Sequence, residues 1–305
     1  MSVTRRALLW LGGRPGAQRI VQRTPLSRSV VRRFVAGDSL DDALQVIGEL
    51  NRSGIGGILD ELGEGVHETA AADRAASDYA AALQAARQRG VDTAVTVKLT
   101  QLGLLVDMTA CLGRLTSLCD QAETAGIRLE IDMEHSDVVD ATLDVYRQLA
   151  ASHPPPRLAV QAYLHRTPED LRVLAELRAP IRLVKGAYAE PEETALQSQE
   201  ELSARYRELI DWLFDHHPDP AFGTHDGAML GYAQTAARRR GLGRRSFEIQ
   251  MLYGVRRDLQ QELARAGYRV KIYVPFGSAW YPYLVRRLAE RPANLRFLAR
   301  SLTGG

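Results

Sequence analysis

Eight short β-branched runs, each followed by a longer Ala/Leu/Arg-rich stretch, predict an α/β chain closed as a (β/α)8 TIM-like barrel. Three observations carry this expectation. The strand–helix unit repeats from about residue 55 to the end, a span close to the ~250 residues such a barrel needs. Glycines at 90, 126, 241 and 267 stand where helices should stop. Polar residues collect at the downstream end of nearly every run. The barrel is expected to be preceded by a helical arm, giving an arm over 1–50 and a barrel over 51–305.

The elements come in order. The start of the chain is rich in arginine (Arg5, Arg6, Arg14, Arg19, Arg23, Arg28, Arg32, Arg33) and has no Asp or Glu before Asp38. It reads as a solvated helical arm, with an organellar transit peptide or a membrane-surface arm as alternatives. Ser39 before Asp41-Asp42 is a plausible helix cap. Strands are predicted at Ile55–Leu59, Val95–Leu99, Arg128–Asp132 and Leu158–Gln161, then at Ile181–Lys185, Ala221–His225, Phe247–Leu252 and Val270–Val274. Helices are predicted near 70–89, 107–125, 137–150, 168–178, 193–214, 228–239, 256–266 and 279–290. A doubly wound open sheet is the alternative. It requires a glycine-rich phosphate turn after an early strand. Gly54-Ile-Gly56-Gly57 fails that template and precedes its strand.

Composition narrows the function. Of the 305 residues 45% are apolar and 25% charged, with a net charge of +2, so no global field argues for nucleic acid. A second basic cluster is Arg238, Arg239, Arg240, Arg244 and Arg245. Cys111 and Cys119, eight apart on a predicted helix, are beyond disulfide reach and suit core thiols in a reducing compartment. Scattered histidines without CxxC or HxxxH give no metal site. No segment approaches the ~20 apolar residues that span a bilayer. A cytoplasmic protein, with peripheral contact at the cytoplasmic membrane face, is the expectation.

In a barrel of this kind chemistry sits at the C-terminal rim. Lys98 ends the second strand, Asp132 and Glu134 come at the end of the third, and Gln161 ends the fourth. Arg182 and Lys185 belong to the fifth, Thr224 and His225 to the sixth, Glu248 and Gln250 to the seventh, and Tyr273 to the eighth. Alternation turns Ile181 and Leu183 outward, and Arg182 and Val184 toward the axis. An inward arginine needs an acceptor, either Asp132 or an anionic or π-rich ligand. Gly186 and Ala187 keep space open beside Lys185, suiting phosphate or a polar ring edge. Thr224-His225 beside a helix start can hold phosphate or adenine. Arg286 and Arg287 share the last helix with Tyr283 and grip one carboxylate if that helix faces the site. A Schiff-base aldolase using Lys98 or Lys185, and a non-catalytic barrel binding an anionic metabolite, are the competing readings.

From about Thr24 onward these segments together resemble the proline dehydrogenase family. The resemblance rests on Val97-Lys98-Leu99, Ile131-Asp132-Met133-Glu134, Val160-Gln161-Ala162-Tyr163, Arg182-Leu-Val-Lys-Gly-Ala-Tyr188, Thr224-His225, Glu248-Ile-Gln250-Met-Leu-Tyr-Gly254, and Tyr273-x-Pro-x-Gly277 with Tyr283-Leu-Val-Arg-Arg-Leu288. The short single-activity bacterial branch is the better match, since a fused aldehyde dehydrogenase needs several hundred more residues. The resemblance implies a distorted (β/α)8 catalytic barrel and oxidation of L-proline to Δ1-pyrroline-5-carboxylate, by hydride transfer from proline C5 to N5 of FAD. It implies a quinone-type electron acceptor. It gives Asp132 and Arg182 catalytic roles, with Arg182 beside N5. Met133, Gln161, Val184, Lys185, Gly186 and Ala187 would contact FAD, and Thr224 and His225 its diphosphate or adenosine part. Lys98, Arg286 and Arg287 would bind the proline carboxylate, with Asp132 holding Lys98 and with Tyr273 and Tyr283 walling the ring. Asp226 departs from the pattern, where Asn is more often expected.

Overall fold

Period-2 alternation in the strands and glycine-stopped helices between them produce a closed barrel of eight parallel strands in sequential order. The computed structural model describes residues 31–63 and 65–290, with side chains as far as Val285. The strands are β1 (Gly56–Glu61), β2 (Thr93–Val97), β3 (Arg128–Ile131), β4 (Arg157–Gln161), β5 (Ile181–Val184), β6 (Ala221–Gly223), β7 (Glu248–Leu252) and β8 (Arg269–Phe276). The helices are α1 (Leu40–Asn51), α2 (Thr69–Arg89), α3 (Met108–Ala125), α4 (Val139–Ala150), α5 (Thr167–Glu176), α6 (Gln199–His216), α7 (Gly227–Arg239), α8 (Arg257–Arg265) and α9 (Trp280–Glu290). Pairing of β1 with β8, Ile58 opposite Tyr273, closes the ring.

Local signals explain the helix ends. Ser39 and Asp42 form a reciprocal capping box at α1. Asp107, Ser198 and Asp226 cap α3, α6 and α7 through side-chain oxygens. Gly90 and Gly126 end α2 and α3 in the left-handed conformation. α6 begins at Gln199 and not at the predicted residue 193. Residues 191–195 instead turn back on the β4 loop, with Leu196 N–H donating to Tyr163 O at 2.8 Å. Residues 31–37 lie along the barrel, where Ala36 N–H donates to Pro275 O and Gly277 N–H to Gly37 O.

Outward strand residues such as Leu129, Ile131, Ile181, Leu183, Ile249 and Ile272 are buried under the helices and form the main core. Cys111 belongs to that core, while Cys119 is half-buried. Burial pushes both thiols up to about 12, so neither is a nucleophile at neutral pH. The inward residues are of another kind. Barrels usually fill the lumen with branched aliphatics. Here the lumen and the barrel base carry acidic and basic side chains in one continuous chain of ion pairs. Asp60, Glu130, Asp132, Asp219 and Glu248 alternate with Lys98, Arg128, Arg157, Arg182 and Arg269, five acids to five bases.

Candidate active site

The downstream strand ends surround a cavity of about 1110 Å³. Lys98, one residue past β2, is buried with its ammonium bracketed by two carboxylates. Its Nζ donates to Asp60 Oδ1 at 2.5 Å and lies 3.3 Å from Asp132 Oδ2. Burial alone would lower this ammonium, but Asp60, Tyr273 and Asp132 together hold it well above its ordinary value. Burial likewise raises the Asp60 carboxyl against the pull of Lys98.

Asp132, one residue past β3, has four donors around it. Oδ1 accepts from Thr96 Oγ1 at 2.9 Å and from Arg182, and Oδ2 accepts from Tyr273 Oη at 2.5 Å beside Lys98. Burial would raise this carboxyl; Arg182, then Lys98 and the two hydroxyls, outweigh it and hold it at about 2. The inward arginine therefore has its acceptor in the protein. It has a second one too, because Arg182 Nη1 donates to Glu130 Oε2 at 3.0 Å. The Tyr273 ring lies 5.7 Å from the Arg182 guanidinium carbon. Arg182 Nε, although buried, has no hydrogen-bond partner among the described residues. Arg157 Nε shares that condition, but Arg157 does not line the cavity.

The wall after β4 and β5 holds Gln161, Val184, Lys185, Gly186 and Ala187, and Met133 after the neighbouring β3 lines the same cavity. Gln161 Nε2 donates to Glu134 O at 2.9 Å, which fixes its amide. Gly186 has φ of 118°, and a Cβ there would come within 2.3 Å of the Tyr163 ring. Its smallness thus serves Tyr163 and the turn, a reason different from the ligand approach inferred from sequence. After β6, Thr224, His225 and Asp226 enter the same cavity. His225 Nε2 accepts from Leu252 N–H at 2.8 Å, which leaves Nδ1 to carry the proton of a neutral ring. Asp226 Oδ1 caps α7 through Ala228 N–H, and Oδ2 accepts from Lys185 Nζ at 2.9 Å. The residue that departs from the usual pattern therefore ties the β6 loop to the β5 loop.

Tyr273 and Tyr283 both line the cavity. Tyr283 packs with Phe34, Val35, Leu62 and Leu284 at its edge. The side chains of Arg286 and Arg287 lie outside the described residues. One expectation needs correction. Glu248 opens β7 and does not end it, so it faces the barrel base and accepts from Arg157 Nη1 at 2.6 Å. Three buried groups escaped the sequence reading. Asp60 fell one residue past the predicted first strand, Arg157 one before the predicted fourth. Glu130 lay inside a strand without drawing notice. Period-2 extrapolation from Asp132 would have found Glu130.

Comparison with known proteins agrees with this geometry. The family model described as proline dehydrogenase matches residues 43–300. Proline dehydrogenase 1 of Bacillus subtilis (strain 168) is 34% identical over 276 residues, covering 90% of this chain and 91% of that one. Proline dehydrogenase of Deinococcus radiodurans is 35% identical over 309 residues, covering 99% and 98%. A solved structure of proline utilization A from Bdellovibrio bacteriovorus, inactivated by N-propargylglycine, superimposes with TM-score 0.82 at 24% identity over 90% of this chain. Another, with proline bound in remote sites, gives 0.72 at 26% identity over 88%. This chain spans about a third of the length of those two, 33% and 31%.

Proposed function

The chain belongs to the proline dehydrogenase family, oxidoreductases acting on proline, and on that premise we propose that it is an FAD enzyme making Δ1-pyrroline-5-carboxylate in the barrel mouth. The observation that carries the proposal is convergence. Lys98, Asp132, Arg182, Lys185, His225 and Tyr273 arrive from five strands, β2, β3, β5, β6 and β8, and share one cavity. That cavity is large for an amino acid alone, since ligand pockets usually fall within ~300–1,000 Å³. The groups around it fit a flavin dinucleotide. Met133, Val184, Ala187 and Leu202 offer apolar wall for a ring system. The α7 N-terminus and Lys185 suit a diphosphate, near Thr224 and His225. The buried Arg182 Nε is a donor still seeking an acceptor.

FAD held there would supply the acceptor for a hydride from proline C5, with a quinone-type oxidant as the onward electron acceptor. The chain's own groups do the rest. Met133, Gln161, Val184, Lys185, Gly186 and Ala187 would hold the cofactor, and Arg182 would set a positive charge beside it. Asp132 fixes both Arg182 and Lys98, so the two cations keep one relative position. Lys98 meets the substrate carboxylate with Arg286 and Arg287, and Tyr273 and Tyr283 bound the pyrrolidine ring. A Schiff-base role for Lys98 is disfavoured, because its amine is held protonated between two carboxylates and a nucleophile must be neutral. A cytoplasmic location with peripheral membrane contact fits two facts: no helix among the described residues can cross a membrane, and a basic cluster stands at residues 238–245.

The test is optical. Purified protein should be yellow and should bleach anaerobically on addition of proline. Arg182→Met should slow that bleaching at saturating proline at least tenfold with little change in proline affinity, the mark of an interaction made in the transition state. Colourless protein that takes up no FAD would overturn the reading.

A further inference from the structure

The group beneath Arg182 has no part in the chemistry above, yet both of its oxygens are fully engaged. Glu130 is fully buried, and each of its oxygens has two donors. Gln250 Nε2 bisects the carboxylate at 3.1 Å from both oxygens. Arg157 Nη1 reaches Oε1 at 3.0 Å from the base, and Arg182 Nη1 reaches Oε2 at 3.0 Å from the mouth. Gln250 also turns its Oε1 toward Arg182 Nη1 at 3.5 Å. Asp132, the other partner of Arg182, is divided among Thr96, Lys98 and Tyr273 as well. Any ligand that draws on Lys98 or Tyr273 therefore disturbs Asp132. It leaves Glu130 untouched.

We propose that Glu130 is a positioning residue for Arg182, fixing both the depth of the guanidinium in the lumen and the share of its charge that faces the cavity. The inference rests on the flavin reading above. Its physical content is a compensation. Arg182 carries one positive charge between two carboxylates, and Glu130 neutralises part of it from the side away from the ligand. Without that carboxylate, more of the positive charge of the buried arginine acts on the cavity, and between buried groups Coulomb terms are large. A cofactor that gains negative charge on reduction then becomes easier to reduce. Only the balance of an existing equilibrium moves, and no new bond or proton transfer is involved.

Glu130→Gln is the direct probe. It is compatible with folding because Arg157 keeps Glu248 Oε1 and Asp219 Oδ2, each at 2.6 Å. Glu248→Gln is the control, because it deletes the same charge from the same chain of pairs while accepting from Arg157 and Gln250 and making no direct contact with Arg182. The measurement is the midpoint potential of the bound flavin, by anaerobic dye equilibration on each holoenzyme. Glu130→Gln should raise the reduced-to-oxidised ratio at a fixed poise about tenfold, ~30 mV for a two-electron couple. Glu248→Gln should melt lower than the parent but titrate at the parent potential. A Glu130→Gln holoenzyme with the parent potential would overturn the proposal and leave the flavin reading standing. Equal shifts in both variants would also overturn it, since the effect would then belong to the whole network. Failure of the parent protein to take up FAD would overturn both readings. Should Glu130→Gln fail to fold, Glu130→Gln with Arg157→Gln removes one charge of each sign and carries the same readout.

Discussion

Lys98 shows how much a single buried charge depends on its neighbours. With its side chain 9% exposed, it stays ionised only because Asp60 and Asp132 flank it. Removing one partner of a buried pair costs ~3–5 kcal/mol, mostly because the other charge is stranded. Lys98→Met should therefore destabilise the protein by an amount of that order at pH 8. The deficit should shrink as pH falls below that, because the abandoned Asp60 can take up a proton. The sign comes from its carboxyl being raised: a raised group favours the fold below its unfolded value and loses that advantage as pH climbs through the folded one. Urea unfolding at pH 8 and below measures this, and parental stability at pH 8 would contradict it. A second loss is expected in catalysis, as a higher KM for proline.

At the scale of elements, the strands carry the site through their last residues and through the loops that leave them. The sequence made the eight strands legible because β-branched alternation is a strong local signal. It misplaced their ends. β3, β5 and β6 stop one or two residues before the expected limit, while β1 and β8 run on to Glu61 and Phe276 because they pair with each other over six positions. Such limits are set by the neighbouring strand, and a single strand cannot display them. For the same reason Asp60 was missed: its importance comes from Lys98, thirty-eight residues away. Arg182 and Asp132, by contrast, were legible as partners, because an inward cation on one strand needs an anion on another. The α7 cap offers a test at this scale. Asp226→Ala should cost about 1 kcal/mol through the lost cap, whereas Asp226→Asn keeps the cap and gives up only the partly exposed pair with Lys185. Melting temperatures of the two variants should separate accordingly; equal losses would place the stabilisation in the ion pair.

For the whole molecule, the ionised lumen predicts the shape of stability against pH. Asp132 is held at about 2, below the ordinary 3.8. Its ~2–3 kcal/mol is present above the unfolded value and is lost as pH falls through 3.8 toward 2. Glu61 acts in the opposite sense. Burial, with Asp78 and Asp60 nearby, raises it to about 7 from 4.5. Its contribution is whole below 4.5 and fades as pH rises through 7. Stability should therefore peak between these limits. Glu61→Gln should flatten the decline from pH 4.5 to 7 and leave the acid limb alone. Chemical denaturation across that range measures both limbs, and an unaltered decline in the variant would remove Glu61 as its cause.

The evenness of that lumen, five acids against five bases, has an evolutionary consequence. A buried member whose partner has no other resists drifting alone, as with Lys98, whose loss would strand Asp60 where little water can reach it. Change there must come in twos, an anion and its cation exchanged together for neutral shapes. Descendants of this barrel should therefore differ at its axis by matched pairs, while its outer helices wander one residue at a time.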